Sequence, residues 1–96
     1  MQSIASFDTE EEVIHKANDS CYGLSAAIFT KNIDRAYRVS KGLESGQVTV
    51  NTWGNVNTNV PFGGVKESGF GRDMGEEALE NWTTTKSVKY AIGPSK

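Results

Sequence analysis

The sequence predicts an α/β unit in which parallel strands are covered by helices, and three observations predict it. Strand-like and helix-like segments alternate, strand, helix, strand, helix, strand, with short connections between them. Each helix-like segment opens on a residue suited to capping, Thr9 in one case and Asn32 in the other. A glycine-rich stretch then follows the last of these strands: six of the ten glycines fall between Gly54 and Gly75, and a further helix signal comes directly after. Such a loop is built to let backbone pass close to backbone or ligand.

The first expected strand is Ser3 to Phe7, which alternates weakly. Thr9-Glu10-Glu11-Glu12 then forms a capping box, in which the Thr9 hydroxyl and the Glu12 carboxylate satisfy each other's backbone N–H groups. The helix it opens has Val13, Ile14 and Ala17 as its apolar stripe and three glutamates at the positive end of its dipole, and Asn18 with Gly23 closes it. Leu24 to Thr30 is apolar on both faces, as a buried strand would be. Asn32 caps a second helix expected to reach about Ser45, with Ile33, Ala36, Tyr37, Val39 and Leu43 toward the core and Gly46 as its stop. Gln47 to Trp53 reads as the third strand, with Val48, Val50 and Thr52 on one face. After the polar loop Gly54 to Val60 and the glycine-rich turn, Asp73 with Glu76 is expected to cap a short helix through Ala78, Leu79 and Trp82. Thr84 to Ile92 alternates Val88, Tyr90 and Ile92 against Ser87, Lys89 and Ala91, the pattern of a half-exposed strand that needs a sheet to join.

Composition narrows the functional classes. At 96 residues the chain holds one thin core, and its 36% hydrophobic and 23% charged content is that of a globular chain. Ten Lys and Arg are scattered among twelve acids for a net charge of −2, so no basic stripe is available to phosphates and nucleic acid is not an expected partner. No apolar run approaches the ~20 residues of a membrane span, and no secretory signal follows Met1, so a cytoplasmic or organelle-matrix location is expected. One cysteine and one histidine exclude an internal disulfide and the usual metal constellations. The sequons at Asn18 and Asn81 are read as chance matches.

Several linked motifs resemble the aldehyde dehydrogenase superfamily. They are the glutamate-rich helix start running into Ala17-Asn18, Tyr22-Gly23-Leu24-Ser25-Ala26, Phe29-Thr30, Gly46-Gln47-Val48-Thr49-Val50-Asn51, and above all the run from Pro61 to Leu79, PFGGVKESGFGRDMGEEAL. The resemblance spans essentially the whole chain, in order, and lies at the family's carboxyl end. It implies an α/β fold that is part of the family's catalytic domain over residues 1–83, with an oligomerisation strand and tail over 84–96. It also implies an enzyme that oxidises aldehydes to carboxylic acids with NAD or NADP, and a homo-oligomer, dimer or tetramer, joined through the last strand. The family's Gly-Gln-x-Cys nucleophile and Glu-Leu-Gly-Gly general-base contexts do not occur here. Met1 is therefore read as a truncation point, and the segment alone is expected to be inactive and to bind no cofactor. Two other readings stay open: a stand-alone, non-catalytic assembly module, and a non-functional truncated product.

Each candidate residue has a plainer alternative. Cys21 lies at a helix end without a base or a matching context, so it is not expected to be the nucleophile. His15 lies off the apolar stripe and reads as a solvated residue. Gly69-Phe70-Gly71-Arg72-Asp73-Met74-Gly75 is one residue out of register for a dinucleotide fingerprint and is expected to be a structural turn. By the resemblance, Trp53, Val56 and Phe62 match positions lining the tunnel by which the aldehyde reaches the nucleophile; for Phe62, core packing is the equal alternative. Asp73 matches a position thought to act indirectly in proton transfer, although capping suffices to explain it. Arg72, unfavourable at a helix start, is expected to find a carboxylate or carbonyl partner elsewhere in the complete protein. Val88, Tyr90 and Ile92 are the expected subunit contact.

Overall fold

A computed structural model describes residues 1–94, and its centre is a crossover of strand, helix and strand. Strand β2 (Ser25–Ile28) pairs in parallel with β3 (Gln47–Val50), from Ser25 opposite Gln47 to Ile28 opposite Val50; helix α2 (Ile33–Gly42) connects them. Helix α1 (Glu10–Asn18) precedes this unit and packs beside α2. A second, antiparallel pair joins β1 (Tyr22–Gly23) to β4 (Val65–Lys66), which the sequence did not signal. A 3₁₀ helix at Glu76–Asn81 is the last regular element among the described residues.

Helix α1 begins where Thr9 predicts, with its Oγ1 accepting from the Glu12 N–H at 3.1 Å. The Glu12 carboxylate accepts from the Asp8 N–H at 2.9 Å, one residue earlier than the expected capping box. Asp19 closes the helix instead of Gly23, its N–H reaching the His15 and Lys16 carbonyls. Helix α2 is capped as expected, Asn32 Oδ1 accepting from Arg35 N–H. It ends at Gly42, three residues before Ser45, because the Asn18 side chain takes its carboxyl end: Nδ2 donates to the Gly42 carbonyl at 2.7 Å, and Oδ1 accepts from the Glu44 N–H at 2.8 Å. Ala36 and Val39 are the buried apolar side chains, whereas Ile33 and Tyr37, expected in the core, are exposed.

Four expected strands are shorter or missing. Ser3 to Phe7 and Thr84 to Ile92 form no strand, since neither finds a sheet edge to supply its ladder bonds among the described residues. Ser95 and Lys96, the end of the expected 84–96 segment, lie outside the described residues. The third strand stops at Val50 because Asn51 turns with φ +58° and offers its side-chain oxygen to the Thr30 N–H at 2.8 Å, so Thr52 and Trp53 leave the sheet. Leu24 to Thr30 contributes only Ser25–Ile28, and these four are half-buried rather than fully covered. The result is an elongated shape of 76 × 28 × 24 Å with a radius of gyration of 20.3 Å, against the ~13 Å of a compact chain this long.

Candidate functional site

The glycine-rich loop docks onto the strands through close backbone approaches. A Cβ at Gly46, just before β3, would meet the Gly63 carbonyl oxygen, and one at Gly64 would meet Ser68. Ser68 Oγ accepts from the Gly23 N–H at 2.9 Å, fixing β1 beside β4. Lys66 sits at φ +54° and donates through Nζ to the Asn18 and Ser20 carbonyls, with the Glu44 carboxylate beside it at 2.6 Å. The cation thus sits at the carboxyl end of α1, where the helix dipole favours positive charge. Arg72 finds its carbonyl partners inside the chain, contrary to expectation: Nη1 donates to Gly64 at 3.0 Å and Gly71 at 2.7 Å.

This docking brings Trp53, Val56 and Phe62 onto one concavity of about 120 Å³, together with Ser25, Gln47 and Thr49. Trp53 and Val56 are largely exposed, at 65% and 61%, and Phe62 is half-buried. A neighbouring hollow of about 290 Å³ shares Gln47, Thr49, Val56 and Phe62, so these four form a ridge between the two. The polar members were not singled out in the sequence. Gln47 and Thr49 are two apart on a strand and so share a face, a period-2 signal that could have pointed to them.

Asp73 does not cap the last helix. Its N–H donates to the Phe62 carbonyl and the Phe62 N–H donates to its carbonyl, both at 2.8 Å, in an antiparallel bridge. The 3₁₀ helix opens instead on Gly75 at φ +67° without a side-chain cap. Val88, Tyr90 and Ile92 lie apart from the concavity, exposed on a stretch without regular secondary structure. Cys21 and His15 are exposed, and Cys21 does not line the concavity. The sequon residues are engaged by the fold: the Asn81 side-chain amide donates to the Arg72 carbonyl, and both ends of the Asn18 amide are bonded.

Two carboxylates have lowered pKa values. The guanidinium groups of Arg38 and Arg35 donate to the Glu10 carboxylate and hold its pKa down to about 2. Lys16, with help from the Asp8 N–H, holds Glu12 below its ordinary range. Both clusters are exposed and belong to the helices rather than the concavity.

A dinucleotide does not fit the glycine loop. The space at Gly63 is filled by Arg72 and that at Gly64 by Ser68, Gly71 faces the Asn81 side chain, and the helix that follows opens on Glu76 and Glu77. Carboxylates at that end would repel a pyrophosphate. No group of three or more potential metal ligands occurs among the described residues, and no described helix is long and apolar enough to cross a membrane.

A parallel strand pair linked through a covering helix, with a glycine loop folded over the entry to its second strand, defines a piece of an α/β fold. The chain belongs to the aldehyde dehydrogenase family, whose profile matches residues 1–88. It is 50% identical over 91 residues to an aldehyde dehydrogenase of Davidiella tassiana and 46% identical over 93 residues to a betaine aldehyde dehydrogenase of Vibrio vulnificus. These alignments cover 95% and 97% of this chain but only 18% and 19% of the relatives, so the chain spans about a fifth of their length. Among solved structures, the NAD+ complex of an aldehyde dehydrogenase from Bacillus cereus superposes with a TM-score of 0.87 at 46% identity, over 91% of this chain and 18% of that one. An apo indole-3-acetaldehyde dehydrogenase superposes with a TM-score of 0.81 at 44% identity, over 83% of this chain and 19% of that one.

Proposed function

We propose that this chain is the carboxyl-terminal portion of an NAD(P)-dependent aldehyde dehydrogenase that oxidises an aldehyde to a carboxylic acid. Its part is one wall of the substrate tunnel and a subunit contact. The observation that carries the reading is the gathering of Trp53, Val56 and Phe62 on one concavity away from the exposed Cys21. Apolar, largely aromatic walls strip water from an aldehyde and select it by shape. Asp73 supports that wall through its backbone bridge to Phe62.

By itself the segment is inactive, because nucleophile, general base and cofactor fold belong to the rest of the enzyme, which acts in the cytoplasm. Purified chain mixed with an aldehyde and NAD or NADP should give no nicotinamide reduction. Turnover that persists in Cys21→Ser would defeat this account of where the nucleophile lies. The exposed stretch with Val88 at 57%, Tyr90 at 84% and Ile92 at 99% favours a role as a strand added to a neighbouring subunit's sheet. Intact dehydrogenase should be captured by the immobilised chain and lost with Val88→Pro, which removes a ladder donor. Capture unchanged by that substitution would place the subunit contact elsewhere.

A further inference from the structure

Among the described residues, the loop from Thr52 to Val56 makes no backbone-to-backbone hydrogen bond. Two side chains of β3 hold it instead, one on either side of Trp53. Thr49 Oγ1 donates to the Thr52 carbonyl at 2.8 Å, and Gln47 Nε2 donates to the Asn55 carbonyl at 3.2 Å. The other end of the Gln47 amide is fixed as well, with Oε1 accepting from Ser25 Oγ at 3.3 Å. Its orientation follows from its partners: a carbonyl only accepts, so the amide nitrogen must face Asn55, and the Ser25 hydroxyl then donates to the oxygen.

We infer that Gln47 is a positioning residue for the tunnel wall, its amide spanning from β2 to the loop and so setting where Trp53 and Val56 stand relative to Phe62. This rests on the tunnel assignment proposed above. A loop without a backbone ladder opens at little free-energy cost unless side chains pin it. Gln47 lies on the ridge shared by both hollows, so a change in its reach moves both. The residues that contact the aldehyde are then apolar, and the polar side chain among them sets their spacing.

The test uses fluorescence of Trp53. Trp82 is 85% exposed and the only other tryptophan, so Trp82→Phe leaves Trp53 as the sole reporter. In that background Gln47→Leu should raise the acrylamide quenching constant by up to about 1.5-fold, as expected when a pinned loop bearing a side chain already 65% exposed is released. Gln47→Lys, which restores a donor of sufficient reach, should bring it back toward the parent value. Ser25→Ala, which releases the far end of the Gln47 amide but leaves its bond to the loop, should raise it by a smaller amount. Equal quenching in the parent and Gln47→Leu would overturn the proposal, as would an increase that Gln47→Lys leaves in place, since that assigns the effect to packing.

A second measurement reads function. With this segment replacing the matching part of its betaine aldehyde dehydrogenase relative, Gln47→Leu should raise KM for the aldehyde several-fold and leave kcat unchanged, the signature of altered binding and not of altered chemistry. A fall in kcat without a rise in KM would overturn the positioning role. Failure of the tunnel reading looks different: the unsubstituted graft would turn over aldehyde with kinetics indifferent to alanine at Trp53, Val56 or Phe62, while the quenching comparison would still decide what the amide does.

Discussion

Phe62 and Asp73 hold each other through two backbone hydrogen bonds of 2.8 Å, one in each direction, eleven residues apart in the chain. The bridge closes the glycine-rich loop on itself and leaves the Asp73 carboxylate exposed. Asp73→Ala should therefore change stability by no more than about 0.5 kcal/mol, the range of a plain surface substitution. Asp73→Pro removes the donor to Phe62 and should cost roughly 1–3 kcal/mol, counting the carbonyl left unpaired. Urea unfolding of both variants checks this; a large loss in Asp73→Ala would give the carboxylate a role the bridge does not.

The Glu10 carboxylate joins α1 to α2 through Arg35 and Arg38, at 3.0 and 2.8 Å. Its pKa falls from 4.5 to about 2, so the folded state binds its proton more weakly than the unfolded state does. Its contribution to stability is full above pH 4.5 and is lost as pH falls toward 2. Glu10→Gln should flatten that part of the stability profile, and added salt should weaken the pair in the parent. An identical acid limb in both proteins would count against the contact.

Gly46 faces the Gly63 carbonyl with no room for a methyl group. Gly46→Ala should push the glycine loop off β3 and cost roughly 1–3 kcal/mol by overpacking. Gly54 has open space but φ +73°, so Gly54→Ala should cost ~1–2 kcal/mol through backbone strain alone. Thermal melts read both costs and hydrogen exchange distinguishes them, because only the first should also speed exchange of the Gly23 amide, whose acceptor Ser68 lies in the loop.

Asn18 ties the end of α1 to the end of α2 with both ends of its amide. Asn18→Ala should cost about 1–3 kcal/mol for two lost hydrogen bonds. Asn18→Asp keeps the acceptor for Glu44 and sets a carboxylate against the Gly42 carbonyl, so it should be no better tolerated than alanine. Urea midpoints of the three proteins rank them, and a neutral alanine variant would show that the helices meet without this tie.

Local chemistry was the legible part of the fold. Thr9 and Asn32 cap their helices as their side chains dictate, because a cap is decided within a few residues. The parallel pairing of β2 with β3 followed from apolar runs on either side of a helical segment. What escaped depends on distant partners. Nothing near Gly42 announces that Asn18 will end α2, and two-residue strands such as β1 and β4 carry no periodicity to read. Asp73 looked like a cap because Glu76 follows it, yet pairing with Phe62 determined its backbone. Trp53, Val56 and Phe62 came from a family likeness and not from any pattern of their own. Gln47 was passed over because a polar residue opening a strand looks like solvent-facing alternation.

The bonds that seat the glycine loop have a consequence for the order in which the chain acquires structure during synthesis. Ser68 reaches Gly23 across 45 residues, and Lys66 reaches the Asn18 carbonyl across 48, whereas β2, α2 and β3 need only the stretch from Ser25 to Val50. Contacts of long sequence separation close late, so on the ribosome the crossover unit can form while the loop is still in the exit tunnel. Until Lys66 emerges, the Asn18 and Ser20 carbonyls at and just after the end of α1 lack its Nζ donor. Chains stalled when Val50 has cleared the tunnel and the loop has not should then protect the α2 amides from exchange while that of Gly23, which donates to Ser68 Oγ in the loop, remains open.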